Sequence, residues 1–400
     1  MKRWFPAALA LSVMVVLAIG LVEITEGQDG RRRDRGPRGP IANFPFTPLP
    51  ESFATPTDNP QTPAKVELGR QLFWDPILSG NQEVACGTCH HPQFGYAENL
   101  DISIGVDGAG LSSRRHFVGS DPIPFVQRNS QTILNTAFNG IDLDGRYDPA
   151  TAPMFWDVRA AGLEAQALLP IITFEEMRGH AYSEDDALDV VVERLAGNAE
   201  YRSLFGEAFG RGQGAVNIDN LGRALAAFQR TLISNNSPYD RYMRGDANAM
   251  SRTQIRGMRA FERSGCINCH NGPMFSDYKL HVLGLRDNRK LAESDRGTEQ
   301  TYAFRTPSLR NLAYTAPYMH NGLFRALADV LDFYDDVGDR DERNINLSRD
   351  QLDPLIRNLD DVDDNEELII EFLEALNDDS FDKTIPARVA SGLTPGGRID

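Results

Sequence analysis

Every cysteine of the chain lies in one of two short motifs, and in each motif a histidine follows directly. The motifs ACGTCHHP and GCINCHNG share the pattern Cys-x-x-Cys-His and contain Cys86, Cys89, His90, Cys266, Cys269 and His270. Thiols at this spacing can form two thioethers to a porphyrin, and the adjacent imidazole can bind the porphyrin's iron. The pattern therefore predicts two covalent c-type haems.

Two other uses of paired cysteines fit the sequence less well. A disulfide within each pair is compatible with an exported protein, but it leaves both histidines unexplained. A zinc ribbon usually has its two cysteine pairs about 15–20 residues apart. Here Cys89 and Cys266 are 177 positions apart, which argues against a shared zinc ion.

The segments before the two motifs resemble each other and indicate helices. Apolar residues recur at helical spacing in VELGRQLFWD and again in RGMRAFERSG. Each segment contains a glycine, Gly69 or Gly257, which would let the helix backbone approach a neighbour or the haem closely. Short helices separated by long Pro/Gly-containing loops predict a mainly α fold of two cytochrome c-like helical haem domains joined by extensive loops.

The N-terminus has the features of an export signal. Met1-Lys2-Arg3 precedes a mostly apolar run from Ala7 to Val22, which is short for a membrane span. A buried helix and an uncleaved membrane anchor are the alternatives, and residues 27–40 predict a disordered linker. We therefore expect a periplasmic or exported protein, with a possible membrane tether through this segment.

The charge of the chain limits its partners. Residues 1–40 carry a net charge of +3, which leaves −19 for the rest because the whole chain carries −16. So acidic a body does not bind nucleic acid and favours basic protein partners. Residues 360–382 alone hold eleven acids and no base, together with an apolar stripe. They predict a solvated helix, with a docking face for a basic partner as the alternative.

Longer motifs connect the chain to a known family. The stretches ELGRQLFWDPILSG, RNSQTILNTAFNG, FWDVRAAGLEAQALLP and RTPSLRNLAYTAPYMHNG occur in this order. They resemble the bacterial diheme cytochrome c peroxidases, a superfamily that includes MauG, over roughly residues 50–380. The resemblance implies that one haem meets H2O2 and the other stores or delivers electrons.

The sequence features and the resemblance together imply how the chain is divided. Residues 1–40 would be the signal or anchor and linker, and residues 41–245 an N-terminal peroxidatic haem domain. Residues 246–390 would be a C-terminal electron-transfer haem domain, and residues 391–400 a tail.

At the first haem, the resemblance implies an open peroxide site. Some members cap this haem with a histidine in an S-I-G-H stretch, but the present sequence reads SIGVDG and has Val106 there. His116 is the alternative ligand. The residues that the resemblance assigns to peroxide cleavage and electron relay are Glu176 (acid–base), Gln166 (orientation), Pro170 (cavity wall) and Trp156 (relay). Ordinary core packing is the alternative for Trp156, and His91 is expected at the surface.

At the second haem, the resemblance places Tyr334 where methionine-ligated members have their axial methionine. Tyr334 lies on an apolar helical stripe, so a core aromatic is the alternative, and Met319 lies in the preceding turn. A phenolate favours oxidised iron, whereas a thioether raises the reduction potential. Val106 and Tyr334 together indicate the MauG-like branch.

The same resemblance implies one Ca²⁺ ion between the domains. Its ligands would be Asn129 and the carbonyl oxygens of Thr315 and Pro317, which suit calcium as oxygen donors.

Three functions follow from these observations. The first is an exported diheme oxidoreductase that reduces H2O2 at the first haem and draws electrons through the second from a partner protein or other donor. The second is a detoxifying cytochrome c peroxidase supplied by a small redox protein. The third is a diheme electron carrier without peroxide chemistry.

The first prediction concerns haem attachment. Replacing Cys86 and Cys89 together with alanine removes both thioether positions of one motif, so one haem should be lost while the other stays. Protein mass and the pyridine haemochrome spectrum measure this, and the matched pair Cys266→Ala and Cys269→Ala should remove the other haem. A purified protein that holds zinc and no haem would contradict the prediction.

Overall fold

Short helices carry most of the regular structure. The computed structural model describes residues 47–120, 123–212, 214–336 and 344–400. The α-helices in these ranges are α1 (Pro63–Trp74), α2 (Cys86–Cys89), α3 (Gly162–Gln166), α4 (Leu169–Ile172), α5 (Ala187–Gly197), α6 (Ala199–Phe209), α7 (Ile218–Gln229), α8 (Pro238–Met243), α9 (Arg252–Arg263), α10 (Leu327–Asp336) and α11 (Glu366–Glu374). The predicted mainly α fold is confirmed.

Strands are only two residues long and form three antiparallel pairs. They are β1 (Gly108–Ala109) with β2 (His116–Phe117), β3 (Pro153–Met154) with β4 (Ala160–Ala161), and β5 (Leu280–His281) with β6 (Phe304–Arg305). In the second pair, Pro153 lies opposite Ala161 and Met154 opposite Ala160. Residues 155–159 connect the two strands of this hairpin.

The helix that precedes each Cys-x-x-Cys-His motif packs closely on a second helix at a glycine. At Gly69 of α1, an added Cβ would overlap the carbonyl oxygen of Ala224 in α7. At Gly257 of α9, it would overlap the carbonyl oxygen of Leu368 in α11. In both pairs the two backbones touch because the glycine has no side chain. The sequence predicts a close approach at each glycine to a neighbour or the haem, and in the structure the neighbour is a helix.

Local sequence explains where these two helices begin. Thr62 caps α1 by accepting a hydrogen bond from the Lys65 amide, and Pro63 occupies the first turn, where its missing N–H is not needed. Ser251 and Gln254 form a capping box at the start of α9. Both helices are thus started by their own sequence, and their apolar faces then select the partner helix.

Two main hydrophobic cores accompany the two motifs. The first is built largely from α1, α5, α6 and α7 and contains Leu68, Leu72 and Phe228. The second is built from α8, α9 and α11 and contains Tyr239, Met258 and Phe372. The buried Ile369, Phe372, Leu373 and Leu376 form the apolar stripe that the sequence predicts for the acidic helix.

The C-terminal segment returns to the first core. Phe381, Val389 and Ala390 are buried there, and the Thr88 hydroxyl donates to the Gly396 carbonyl at 2.8 Å. The described residues belong to one compact unit, so the domain boundaries at residues 245 and 390 stay predictions. Among the described residues, no helix is long and apolar enough to cross a membrane. The predicted signal or anchor segment, residues 1–40, lies outside them.

The close approach of α9 and α11 leads to a stability prediction. Gly257→Ala should lower the free energy of unfolding by about 1–3 kcal/mol, because the added methyl must displace the α11 backbone. Gly206→Ala in α6 is the matched control, since its nearest neighbouring atom would be an ordinary 3.5 Å away. The control should leave stability unchanged or raise it slightly. Thermal or urea unfolding of the two variants measures the difference, and equal stabilities would contradict the close contact.

Candidate functional site

The first motif opens into a cavity. This cavity has a volume of about 430 Å³, and Cys86, Cys89 and His90 form one side of it. Glu176, Gln166, Pro170 and Trp156 also line it. The structure therefore brings the residues predicted for peroxide chemistry into the same space as the first motif.

One nitrogen of His90 is engaged by the backbone, which leaves the other for a metal. Nδ1 lies 3.1 Å from the Tyr96 carbonyl oxygen, which can only accept a hydrogen bond, so Nδ1 carries the proton. The Ser130 hydroxyl lies 3.3 Å from the same nitrogen. Burial lowers the pKa of His90, which favours the neutral imidazole that binds iron. A hydrogen bond of this kind orients metal-binding histidines in many proteins.

The second motif repeats this arrangement around a smaller cavity of about 80 Å³. Cys266, Cys269 and His270 line it. His270 Nδ1 lies 3.0 Å from the Phe275 carbonyl oxygen, and burial lowers the pKa of this histidine too. The two motifs thus present the same donor set in the same orientation.

These donor sets fit haem better than the alternatives. All four cysteines are free of disulfide bonds, and they lie as two pairs in separate cavities. Burial raises the pKa of Cys86 and Cys266 to about 12, so these two thiols do not ionise readily to the thiolates that zinc requires. A group with metal-binding geometry exists at Cys269, Asp277 and His281, but it includes only one of the four cysteines. Zinc would therefore leave most of both motifs without a role.

Glu176 reaches the first cavity from a single π-helical turn, Phe174–Arg178. Gly105 of the SIGVDG stretch packs against the backbone of this turn, and any side chain there would overlap the Glu175 and Glu176 carbonyl oxygens. Burial raises the pKa of Glu176 to about 7; Arg159 opposes the shift and Glu175 adds to it. A carboxyl group with this pKa can both accept and return a proton near neutral pH.

Neither Val106 nor His116 lines the first cavity. Val106 occupies the capping position and is buried in the first core, where its side chain faces Gly179. His116 lies exposed in β2, with its Nδ1 2.9 Å from the Arg114 carbonyl oxygen. Arg115 instead points inward and donates to the Ile104 and Gly105 carbonyl oxygens. These bonds fix the backbone at Ile104 and Gly105, and of the SIGVDG stretch Ser103 lines the cavity whereas Val106 does not.

Trp156 lies between the two cavities. Trp156, Arg305 and Pro307 line both of them. The Trp156 indole N–H donates to the Asn129 carbonyl oxygen at 3.0 Å. The backbone carbonyl oxygen of Trp156 accepts from the Arg305 backbone amide at 2.7 Å. The indole is 8% exposed, so it is buried as a core residue would be, yet it forms a wall common to both sites.

The second cavity receives more than one side chain that could bind iron. Tyr334 lines it from α10, and Met319 and His320 line it from the preceding turn. Burial, together with the nearby Cys269 and Cys266 sulfurs, raises the pKa of Tyr334. A phenolate at this position therefore requires a metal cation to offset its burial.

The predicted calcium ligands are not joined by any contact among the described residues. The Asn129 side-chain amide donates to the Leu100 carbonyl at 2.8 Å. Thr315 packs beside Gly95. A calcium ion bound by Asn129, Thr315 and Pro317 stays a prediction.

Three features were missed or misjudged from the sequence. His91 is buried and packs edge-on against Trp74 with ring centroids 5.8 Å apart, so its expected surface location is wrong. His281 lies 2.6 Å from Asp353 and 3.2 Å from Asp277 at the second cavity. Arg305 lies in the shared wall and donates to the Gln131 side chain at 2.8 Å. Of these three features, only the His281 contacts had a signal in the sequence, namely the Asp277-x-x-x-His281 spacing shortly after the second motif.

Comparisons with known proteins give a consistent result. The family model described as di-haem cytochrome c peroxidase matches residues 63–248. Methylamine utilization protein MauG of Methylorubrum extorquens is 36% identical over 296 residues, which cover 73% of this chain and 74% of that protein. Cytochrome-c peroxidase IdrP1 of a Pseudomonas species, strain SCT, is 36% identical over 333 residues and covers 74% and 78% of the two chains.

A solved structure agrees over most of the chain. The crystal structure of a MauG-like protein associated with microbial copper homeostasis superposes with a TM-score of 0.65 at 26% identity. The match covers 84% of this chain and 93% of that one. MauG and IdrP1 are equally similar in sequence, so percentage identity does not separate the two kinds of relative.

Proposed function

This chain belongs to the di-haem cytochrome c peroxidase family, and on that premise we propose that it is a MauG-like enzyme with an open first haem site and a tyrosine-ligated second site. The family relationship makes it a peroxide-dependent oxidoreductase with two haems, H2O2 as substrate and a redox partner. An electron carrier without peroxide chemistry does not fit that relationship.

The haems would be attached through thioethers to the cysteines of the two motifs. The cysteines and histidines at each cavity favour this attachment, since both thiols and the histidine of each motif line one cavity and each histidine keeps Nε2 for iron. When bound, the first haem supplies the iron at which the oxygen–oxygen bond of the peroxide is cleaved.

Glu176 would move the proton that this cleavage requires. Its carboxylate accepts the proton from the inner oxygen of H2O2 and returns it to the outer oxygen, which leaves as water. Gln166 orients the peroxide by hydrogen bonding, and Pro170 closes the wall beside it. The single observation that carries the proposal is that Glu176, with a pKa of about 7, shares one cavity with His90.

Electrons would reach the first site through Trp156, whose indole borders both cavities. At the second site, Tyr334 and His270 would both hold the haem iron. An anionic phenolate stabilises oxidised iron, so the fully oxidised enzyme would accept peroxide without prior reduction. Val106 supports the same conclusion, because no histidine blocks the first site.

A detoxifying cytochrome c peroxidase is the second candidate, because Met319 lines the second cavity beside Tyr334 and could provide a thioether ligand. Either enzyme would act after export, with a basic partner as electron donor or substrate and one Ca²⁺ ion at Asn129, Thr315 and Pro317. The acidic net charge of −16 favours such a partner.

Glu176→Gln should keep both haems and slow the reaction with H2O2 by about 10²–10⁴-fold. Only the ionised carboxylate accepts a proton, so the wild-type rate should rise as the pH increases through about 7 and then level off. The variant should lose this pH dependence. Stopped-flow absorbance measures both effects, and Glu175→Gln, which also borders the cavity, is the matched control. An unchanged rate in Glu176→Gln would exclude Glu176 as the proton carrier.

Tyr334→Met should raise the reduction potential of the second haem, since a thioether replaces an anionic donor. The variant should also need partial reduction before it reacts with peroxide, whereas the wild type should react when fully oxidised. Spectroelectrochemical titration and peroxide mixing measure the two properties. Met319→Leu is the control and should change neither. If Met319→Leu alters the second haem spectrum and Tyr334→Phe does not, Met319 is the ligand and the peroxidase alternative is favoured.

A further inference from the structure

A tyrosine lies directly behind the iron-binding histidine of the first site. The Tyr96 carbonyl oxygen accepts the hydrogen bond from His90 Nδ1 at 3.1 Å. The Tyr96 ring is completely buried, and its hydroxyl donates to the Asp382 carbonyl oxygen at 2.7 Å. A redox-active side chain is thus coupled to His90 through one hydrogen bond and its own backbone.

Aromatic rings lead from Tyr96 towards the surface. The Tyr96 and Phe381 ring centroids are 6.0 Å apart, and those of Phe381 and Tyr314 are 6.1 Å apart, both in edge-to-face geometry. Gly95 allows a second, shorter approach. A Cβ on Gly95 would lie 2.9 Å from the Tyr314 Cβ, so Tyr314 packs directly on the backbone that precedes Tyr96.

Tyr314 stands at the outer end of this series in an acidic environment. Its side chain is partly exposed. Burial of its inner part and the neighbouring Asp379, Asp378 and Glu374 raise the pKa of its phenol. Negative charge here attracts cations, and Asp379 and Glu374 are themselves exposed.

We propose that Tyr314 is a second redox site, at which cationic one-electron donors too large for the peroxide cavity are oxidised. The proposal rests on the proposed function, because peroxide reacting at the first site supplies the oxidant. Tyr314 loses one electron inward through Phe381 and Tyr96, and its phenolic proton goes to solvent beside the carboxylates. An external donor returns one electron, and solvent returns the proton. Two such donations, with two protons, balance the reduction of one H2O2 to two waters.

This route is separate from the one through Trp156. Trp156 lines both cavities and so connects the first site with the cavity of the second motif. Tyr96 is reached through His90, and no residue of the second cavity takes part. Phe381 has no readily oxidised phenol, so it serves as the packed medium between the two tyrosines.

The experiment traps the oxidised residue in the holoenzyme. Enzyme mixed with one equivalent of H2O2 and the spin trap 5,5-dimethyl-1-pyrroline N-oxide is digested and analysed by mass spectrometry. The trap should be found on Tyr314 in the wild type and be at least tenfold lower at residue 314 in Tyr96→Phe. Tyr318→Phe is the matched control. Tyr318 lies in the same turn, with its hydroxyl donating to the Leu312 carbonyl at 3.0 Å, and should leave the label on Tyr314 unchanged.

A donor assay completes the test. Hexaammineruthenium(II) is the cationic donor and ferrocyanide the anionic one. Tyr314→Phe should slow peroxide-dependent oxidation of the cation at least tenfold and leave single-turnover consumption of H2O2 unchanged. A Tyr314 that stays unlabelled, or equal donor oxidation in wild type and Tyr314→Phe, overturns this route and leaves the proposed function intact. A wild type that does not consume peroxide overturns both.

Discussion

The rest of the site depends on the hydrogen bonds that fix Trp156 between the two cavities. Asn129 holds the indole nitrogen and Arg305 holds the backbone on both sides of the residue. Within the same hairpin, Phe155 and Val158 adopt left-handed conformations with φ of 66° and 53°. A non-glycine residue in this conformation costs about 1–3 kcal/mol, and it persists only where the surrounding contacts hold it there. These bonds fix the residue that forms a wall of both cavities.

The two sites are built from the same arrangement of helix, motif and histidine. They differ in the side chains that other parts of the chain place in each cavity. A glycine-containing helix packs on its partner, a Cys-x-x-Cys-His turn follows, and a backbone carbonyl oxygen orients the histidine. Glu176 enters only the first cavity and Tyr334 only the second. The two cavities therefore share one donor set and differ in single side chains that come from unrelated loops and helices.

Much of this could be predicted because it is encoded locally. Motif spacing identified both donor sets, and apolar periodicity identified the helices at Gly69 and Gly257. Features that depend on the tertiary fold could not be predicted. The burial of His91 results from Trp74 packing against it, and Arg305 joins the shared wall only because β6 pairs with β5. Residues assigned through the family resemblance, such as Glu176, converge in one cavity although they are distant in sequence.

Burial raises the pKa of both Glu176 and Tyr334, but only Tyr334 needs a further group before it can act in its proposed role. It raises the pKa of Glu176 to about 7, and that value suits a proton carrier without any further partner. It also raises the pKa of Tyr334, so the phenol would stay protonated unless a metal charge stabilised the phenolate. The proton chemistry of the first site is therefore set by the protein alone. If Tyr334 binds the iron as proposed, the two together would set the electronic character of the second site, so a substitution at position 334 would change it.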